Sequence, residues 1–472
     1  MGVGVERYAC VHGHFYQPPR EDPRTGEIPV EPSAAPFPNW NARILDECYR
    51  PGVANYARMS FNFGPTLLGW MAKAAPEVHA AIVQADQESA RRFGGHGSAI
   101  AQAHNHMILP LANPRDKVTQ VRWGIRDFEH HFGRRPEGMW LPETAVDTAT
   151  LAVMAEEGIR FTILAPSQAA GGEVDTGRAH WAKLPGGAEL ALFFYDGATA
   201  QAVAFGGLLN DGDEFARRLL EVGSGEGPRL AHIATDGESY GHHHRFGEMA
   251  LTRALERIDE AEGARLTNYG EFLEHNAPSG EVEIVERSSW SCVHGVERWR
   301  SDCGCSAGRG EGWSQEWRGP LREALDGLRE SLAIAFERGT EGVLPDPWAA
   351  RNAYIDVVLD GSPDQQAAFL AAHAAPAASQ EESARALTLL DSQRQAMLMY
   401  TSCGWFFDDI AGIEPRQILR HAAHAIRLST QATGTSPEPV FLEALTRAKS
   451  NTTALPHGKA VYLAGAAGDA PA

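Results

Sequence analysis

The sequence predicts an α/β fold, a β/α barrel with a C-terminal α-helical domain, and three observations lead to this prediction. In the first part of the chain, short apolar runs alternate with helical patterns, as in parallel β/α proteins. Polar residues follow the ends of these runs, where β/α barrels carry their functional side chains. No glycine-rich phosphate loop opens a helix, which favours a barrel over an open sheet.

Five apolar runs predict strands, and five helical patterns lie between them. The predicted strands cover 8–11, 138–141, 161–165, 190–194 and 230–234. The predicted helices cover 72–93, 117–132, 147–158, 213–222 and 247–261. Residues 281–286 fit one more strand. Beyond Trp313 the sequence is mostly helical, with patterns at 320–339, 347–359, 380–400 and 415–430.

These patterns divide the chain into four parts. We expect the barrel in residues 1–275 and a segment rich in Trp and Cys, which covers the functional site, in residues 276–318. A helical domain is expected at 319–448. Residues 449–472 are rich in small and polar side chains and are expected to form a flexible tail.

Composition narrows the class of protein. The chain has 472 residues, 43% of them hydrophobic, which is enough for a large core and argues against disorder. Its formal net charge of −19 disfavours binding to nucleic-acid backbones and is compatible with a neutral partner such as a sugar polymer. No secretory signal or membrane span is evident, and six scattered cysteines suit reduced thiols. We therefore expect a cytoplasmic protein with neither nucleic acid nor membrane as partner.

Two carboxylates follow predicted strands directly. Glu143 comes after Trp-Leu-Pro, and Asp236 follows the run at 230–234 and precedes a glycine. Glycosidic bonds are cleaved by such pairs, in which one group attacks the anomeric carbon and the other protonates the leaving oxygen. A single carboxylate at the end of a strand is more often a loop cap or half of an ion pair. The pair gains weight from the histidines that accompany it.

Imidazole and amide groups follow the first predicted strand. His12, His14 and Gln17 supply donors and acceptors for sugar hydroxyls, and Trp140 is a candidate stacking surface for a sugar ring. A His-x-His pair on a strand points both rings to one face, so metal binding is the competing interpretation. His106, before an apolar segment, is a further imidazole of the same kind.

Two other segments carry polar clusters. Three consecutive histidines at 242–244 follow Asp-Gly-Glu-Ser-Tyr-Gly, and they cannot all face one site from a regular strand. Cys292-x-His294 and Cys303-x-Cys305 could bind zinc, but the C-x-C spacing departs from the usual C-x₂₋₄-C. A packed lid rich in Trp over a sugar site is the favoured interpretation of this second segment.

Four motifs in order resemble the signature regions of glycoside hydrolase family 57. Residues 12–18 (His-Gly-His-Phe-Tyr-Gln-Pro) resemble the first region, and 97–111, with His-Met-Ile-Leu-Pro-Leu at 106–111, resembles the second. Residues 138–143 (Gly-Met-Trp-Leu-Pro-Glu) are similar to the third, whose Glu is the family's nucleophile. Residues 235–241 (Thr-Asp-Gly-Glu-Ser-Tyr-Gly) are similar to the fourth, whose Asp is the general acid/base.

The resemblance covers about residues 8–300, with an atypical Phe-Tyr insertion in the first motif and an atypical segment at 289–305. It implies a divergent branch, an incomplete (β/α)₇ barrel, retention of configuration and no required metal or cofactor. It also implies an α-glucan or oligosaccharide substrate for hydrolysis or transfer. The catalytic residues are then Glu143 and Asp236. The expected substrate-binding residues are His12, His14, Gln17, His106, Trp140, Glu238, His242 and Trp290.

Two rival classes stay open at this point. One is a metal-dependent hydrolase on a related barrel, similar to an α-mannosidase or a deacetylase, with His12, His14 and Asp236 or His242 around a cation. The other is a carbohydrate-binding protein without catalysis. Linkage, chain length, oligomeric state and the balance of hydrolysis and transfer do not follow from the sequence.

Overall fold

The computed structural model describes residues 7–221, 227–308 and 310–466. The chain divides into two compact units, each made of three segments. We call the first the α/β unit; it comprises Met1–Gln17, Val30–His104 and Phe128–Ser291. We call the second the helical unit; it comprises Pro18–Pro29, Asn105–Asp127 and Cys292–Ala472.

All ten named strands belong to the α/β unit, and most are short. They are β1 Arg7–Phe15, β2 Ser60–Phe63, β3 Ala101–Gln102, β4 Met139–Trp140, β5 Phe161–Leu164, β6 Ala179–Ala182, β7 Ala191–Phe194, β8 Arg229–Asp236, β9 Ala264–Leu266 and β10 Glu281–Val282.

Helices follow most of these strands. Those of the first part of the chain are α1 Trp40–Ile44, α2 Arg50–Tyr56, α3 Pro65–Ala74, α4 Pro76–Arg92, α5 Pro114–Phe132, α6 Thr148–Glu156, α7 Gly197–Ala204, α8 Gly212–Leu220, α9 Gly247–Glu260 and α10 Tyr269–His275. Those of the helical unit's long last segment are α11 Arg318–Gly339, α12 Pro347–Ala353, α13 Ile355–Leu359, α14 Pro363–His373, α15 Gln380–Leu398, α16 Cys403–Phe406, α17 Ile413–Thr433, α18 Glu438–Leu445 and α19 Gly458–Ala466.

The strands pair mainly in parallel, with helices between them along the chain. β1 pairs in parallel with β2, β8 and β9, β3 pairs in parallel with β4, and β5 pairs in parallel with β7. Single parallel bridges join Phe61 to Ala99 and Gly138 to Phe161. β6 is antiparallel to β7. The predicted α/β fold with a helical C-terminal region is confirmed.

Three of the paired strands are buried on both faces, as parallel strands are when helices cover them. Every residue of β2, β5 and β7 is buried. Several of them are aromatic, among them Phe61, Phe161 and Phe193, which are at most 2% exposed. The carboxyl ends of β1, β2 and β8 therefore rise from a rigid apolar base.

The helical unit has its own core, and its helices have recognisable ends. Ser379 and Glu382 form a reciprocal capping box at the start of α15, and Gly434 takes the left-handed conformation that ends α17. Inside the unit, Arg351 donates to Asp116 at 2.7 Å and both side chains are buried. This ion pair joins α12 to the start of α5.

Each predicted strand and helix lies within a few residues of observed ones. Other elements of the structure were not indicated by the sequence. Short β2, β3, β6 and β9 were not predicted. Within the segment expected to be a flexible tail, α19 is a helix in which Val461 and Tyr462 are buried, so that part differs from the expectation. The rest of the expected tail, 467–472, lies outside the described residues. Among the described helices, none is both long and apolar enough to cross a membrane.

Candidate active site

Three polar residues form one row across the ends of neighbouring parallel strands. His14 of β1 lies beside Asn62 of β2 on one side and beside Asp236 of β8 on the other. Since parallel strands end at the same edge of a sheet, their carboxyl ends bring residues that are distant in sequence into one place. This row is the floor of the candidate site.

The amide of Asn62 organises the two histidines of the first motif. Its Oδ1 lies 3.2 Å from Nε2 of His12 and 3.2 Å from Nδ1 of His14, and its Nδ2 donates to Oε1 of Gln102 at 2.9 Å. Nδ1 of His12 is hydrogen-bonded to Oγ of Ser60 at 2.9 Å. Both ring nitrogens of His12 thus have protein partners. This arrangement differs from the predicted contact of His12 with substrate.

Burial keeps both imidazoles uncharged. It lowers the pKa of His12 to about 3 and that of His14 to about 3, because charging a ring in this apolar surrounding is costly. Neutral rings can donate with one nitrogen and accept with the other. In the metal-binding interpretation of the His-x-His pair, His12 would have to give up one of its two protein partners.

Trp140 is fully buried, which corrects its predicted role as a stacking surface for sugar. The rings of His12 and His14 stack on it at centroid distances of 5.0 Å and 4.9 Å, and Trp290 meets it edge-on at 5.1 Å. Its indole therefore supports the histidines. Trp290 is only half buried and keeps ring surface that a sugar could contact.

Glu143 is held by donors from the segment after β10. Its Oε2 accepts from Oγ of Ser291 at 2.6 Å and from Nε1 of Trp290 at 3.2 Å, and its carbonyl accepts from the Trp290 amide. Its φ of 59° and that of Thr144, 48°, lie in the left-handed region, which non-glycine residues seldom adopt. Such strain is typical of positions where the surrounding structure fixes a side chain for function.

Asp236 has different surroundings. Asp236 is exposed to solvent, although many protein atoms lie around its carboxyl. Loss of hydration raises the pKa of Asp236 to about 8, with further contributions from the nearby charges of Glu238 and Glu143. The influence of Glu143 means that the two predicted catalytic carboxyls lie near each other. These effects favour the protonated form of Asp236.

Glu238 is a buried residue, since only 5% of its surface is exposed. Its Oε1 accepts from Oη of Tyr49 at 2.6 Å and from the Tyr16 amide at 3.0 Å, and Gln17 is also hydrogen-bonded to the carboxyl. Burial raises the pKa of Glu238 to about 7, against the lowering effect of these donors. Gln17 and Glu238, both predicted to bind substrate, contact each other and Tyr49 in the described structure.

Two glycines of the fourth motif leave space that a side chain would fill. A Cβ on Gly237 would lie 2.2 Å from the ring of Phe15, and one on Gly241 would lie 2.4 Å from the Glu47 carbonyl. Gly241 also has a φ of 143°. These contacts explain why Asp236 is followed by glycine and why the motif ends in one.

The remaining predicted histidines take separate positions. His242 donates from Nδ1 to Oε2 of Glu47 at 2.5 Å, His243 is exposed, and His244 donates to the Ala204 carbonyl at 2.8 Å. The ion pair makes His242 a structural partner of Glu47. His106 belongs to the helical unit, where Nδ1 is hydrogen-bonded to Oγ of Ser402 at 2.6 Å.

Several residues of the site were not predicted. Asn62, Tyr49 and Ser291 make the contacts that fix the histidines, Glu238 and Glu143, and Tyr195 is close enough to Asp236 for that carboxyl's charge to raise the tyrosine's pKa. Tyr195 also meets Trp290 edge-on at 6.4 Å. The one signal in the sequence was the position of Tyr195 at the end of a predicted strand.

Glycoside hydrolases cleave glycosidic bonds with paired carboxyl groups. Residues 94–285 match the model described as Glycosyl hydrolase family 57, and residues 313–469 match the model described as Domain of unknown function (DUF3536). The first match contains the second, third and fourth motifs. The resemblance seen in the motifs is thus confirmed over residues 94–285.

Two curated proteins are similar over part of their length. Alpha-amylase 1 of Dictyoglomus thermophilum is 23% identical over 207 residues, which are 42% of this chain and 29% of the amylase. A 1,4-alpha-glucan branching enzyme of Thermococcus kodakarensis is 38% identical over 52 residues, 11% of this chain and 8% of that enzyme. The matched region is thus less than a third of the length of either relative.

Solved structures resemble the chain over nearly its whole length. An exo-type maltose-forming amylase from Pyrococcus sp. ST04 has a TM-score of 0.75 at 15% identity, with 99% of this chain and 93% of that chain covered. A family 57 branching enzyme from Pyrococcus horikoshii has a TM-score of 0.61 at 17% identity, with 93% and 94% covered. At these identities the likeness establishes the fold.

Proposed function

We propose that the chain is a retaining α-glycoside hydrolase or transglycosylase that acts on α-glucans by double displacement. One observation carries this proposal: two neighbouring carboxyls have opposite surroundings. Glu143 is held by two hydrogen-bond donors, which suit a carboxylate, while the pKa of Asp236 is raised to about 8. An ionised nucleophile beside a protonated acid is the arrangement that retaining hydrolysis requires.

In the first step, an Oε atom of Glu143 attacks the anomeric carbon while Asp236 gives its proton to the departing glycosidic oxygen. In the second step, water or the hydroxyl of an acceptor sugar attacks the covalent intermediate, and Asp236 takes the proton of the attacking group. The proton of Asp236 is thereby restored and Glu143 is freed. Hydrolysis and transfer differ only in the attacking hydroxyl.

The choice of α-glucans rests on the relatives. The similar proteins carry the names alpha-amylase, maltose-forming amylase and 1,4-alpha-glucan branching enzyme, and these names point to α-glucans as the substrate class. The half-buried ring of Trp290, hydrogen-bonded to Glu143, is the surface we assign to stacking on the sugar at the cleavage point.

We also propose that seven strands form an incomplete (β/α)₇ barrel in the order β1, β2, β3, β4, β5, β7 and β8. The pairs β1–β2, β3–β4, β5–β7 and β8–β1 are parallel, and parallel bridges at Phe61–Ala99 and Gly138–Phe161 link them in that order. At the remaining junction, the Asp196 amide donates to the His232 carbonyl at 2.8 Å. A cytoplasmic location stays a prediction from the cysteines.

The test is incubation of the purified chain with amylose and maltoheptaose, in which reducing ends and product lengths are followed. New reducing ends indicate hydrolysis, and changed chain lengths at constant reducing ends indicate transfer. Glu143→Gln should abolish both, while Glu256→Gln, an exposed carboxylate on α9, should leave both unchanged. Activity that survives in Glu143→Gln would contradict the proposed nucleophile.

A covalent trap makes the test independent of turnover. A 5-fluoro-α-glucosyl fluoride should accumulate the glycosyl-enzyme, and mass spectrometry of peptides should find the sugar on Glu143. If the label lies on another carboxylate, the assignment of Glu143 is wrong even where α-glucans are substrates. If neither label nor product forms with any α-glucan reagent, α-glucan is the wrong substrate class.

A further inference from the structure

Four potential metal ligands converge in the helical unit. The ligand atoms of Cys292, His294, Cys303 and Cys305 all lie within 4.8 Å of one another. They come from a single stretch of 14 residues in which a Cys-x-His pair and a Cys-x-Cys pair face each other. From the spacing alone, a lid rich in Trp was the favoured interpretation and no metal was predicted; the folded arrangement differs from that interpretation.

The separations match a tetrahedral zinc site. Sγ of Cys292 lies 3.8 Å from Sγ of Cys303 and 3.8 Å from Sγ of Cys305. With Zn–S bonds of about 2.3 Å, tetrahedral geometry places two sulfurs roughly 3.8 Å apart. Nδ1 of His294 lies 3.6 Å from Sγ of Cys305, and a Zn–N bond of about 2.05 Å gives roughly that edge.

The same separations exclude a disulfide in this conformation. A disulfide brings two sulfurs to about 2.05 Å, whereas Sγ of Cys292 lies 3.8 Å from the sulfurs of Cys303 and Cys305, and none of the six cysteines is in a disulfide. One thiol, Cys292, is nearly equidistant from the other two. A point in the middle of three thiols suits a central cation better than it suits any pairwise bond.

A buried arginine supplies the charge that such a site needs. Arg318 is fully buried; its Nη1 lies 4.0 Å from Sγ of Cys303 and donates to the Cys305 carbonyl at 3.1 Å. Three thiolates and a divalent cation carry a net charge of −1. A guanidinium beside the sulfurs offsets this charge, as partners around metal ligands commonly do.

The loop that carries the last two thiols is shaped by a glycine turn and is held by hydrogen bonds after Cys305. Gly304, between Cys303 and Cys305, has a φ of 76°, which glycine adopts without strain, and this turn lets both thiols approach one point. After Cys305, the carboxylate of Asp408 accepts from Oγ of Ser306 at 3.0 Å and from the Ala307 amide at 2.9 Å. Pre-organisation of this kind lowers the entropy lost when a metal binds.

We propose that Cys292, His294, Cys303 and Cys305 bind one zinc ion in a structural site. On binding, three thiols release three protons to solvent, and the neutral imidazole of His294 coordinates through one nitrogen. Four protein ligands close the coordination sphere, which is the property of structural zinc sites. The ion fixes the segment 292–305 by joining its two ends. This inference goes beyond the proposed glycosidase activity and does not depend on it.

The first experiment measures metals in the purified full-length chain by elemental mass spectrometry after dialysis without chelator. About one zinc per chain is expected. Cys303→Ser and Cys305→Ser should retain less than a tenth of that amount. Cys403→Ser, which changes a similarly half-buried cysteine of the same unit outside the cluster, should keep it all. Iron in place of zinc, an absence of metal, or full zinc content in Cys303→Ser would overturn the proposal.

The second experiment uses the unmodified chain, so that a variant that fails to fold does not decide the outcome. Exchange of zinc for Co²⁺ should produce thiolate-to-cobalt absorption in the near ultraviolet and the strong visible bands of tetrahedral cobalt. Weak visible bands typical of six-coordinate cobalt would contradict the assigned ligands. An inactive chain that still holds one zinc would sink the glycosidase proposal alone, and an active chain without zinc would sink this inference alone.

Discussion

The loop after β4 and the end of β8 each present one carboxyl to the candidate site, but the two regions treat it in opposite ways. After β4, Ser291 and Trp290 donate to Oε2 of Glu143. At the end of β8, no described side chain donates to Asp236, and two neighbouring carboxyls add repulsion. The difference teaches that neighbouring groups, rather than residue type or position after a strand, set the proposed roles of nucleophile for Glu143 and acid for Asp236.

The largest effect is expected from replacing Asp236, the proposed proton donor. We expect Asp236→Asn to lower kcat/KM by about 10²- to 10⁴-fold, because general acid catalysis contributes that much. Substrates with an activated leaving group, such as an aryl α-glucoside, should lose less in the first step, since their oxygen needs no proton. Steady-state kinetics on maltoheptaose and on the aryl glycoside measure the contrast. Equal losses on both substrates would contradict the acid role.

The β8 region could be predicted from sequence because an apolar run led directly to a carboxylate. The short β2 could not, because two of its four residues, Ser60 and Asn62, are polar. Their partners His12 and His14 are 48 to 50 residues away in the chain, so no local pattern links them. The hydrogen bond from Tyr49 to Glu238 spans 189 residues.

The next prediction concerns the hydrogen-bond donors to the Glu143 carboxylate. Hydrogen bonds to charged groups contribute about 1.5–3 kcal/mol, so Ser291→Ala should lower kcat/KM by roughly 10- to 150-fold. The donor hydroxyl lies 2.6 Å from Oε2, and its loss leaves Trp290 Nε1 as the remaining donor of the two. Kinetics on maltoheptaose measure the effect. Ser279→Ala, which removes a hydroxyl bonded to a backbone carbonyl, is the matched control. An unchanged rate would show that the carboxylate is held by other means.

We expect the negative charge of Glu238 to influence the pH above which activity falls, because it raises the pKa of Asp236. Activity needs protonated Asp236, so kcat/KM should fall as pH rises through about 8. Glu238→Gln removes a negative charge that raises this pKa, and the alkaline limb should move to lower pH by about one unit. Tyr49→Phe should move it the same way by less, because losing this donor favours the protonated form of Glu238. The pH profiles of the three proteins measure the order, and a shift to higher pH would contradict the coupling.

The smallest expected effect concerns stability and has an unusual sign. Folding raises the pKa of Asp236 from 3.8 to about 8, so the stability linked to this group is fully present below pH 4 and is lost as pH rises through about 8. Asp236→Asn should therefore stabilise the fold at pH 9 by about 1 kcal/mol, as substitutions of functional residues often do, and should change little at pH 4. Water still reaches this carboxyl, which keeps the gain small. Urea unfolding at both pH values measures it, with Glu256→Gln as the exposed control. Because Glu143 is held by donors, Glu143→Gln should give no such gain at pH 9; if it stabilised the fold as much as Asp236→Asn, the contrast between the two regions would be lost.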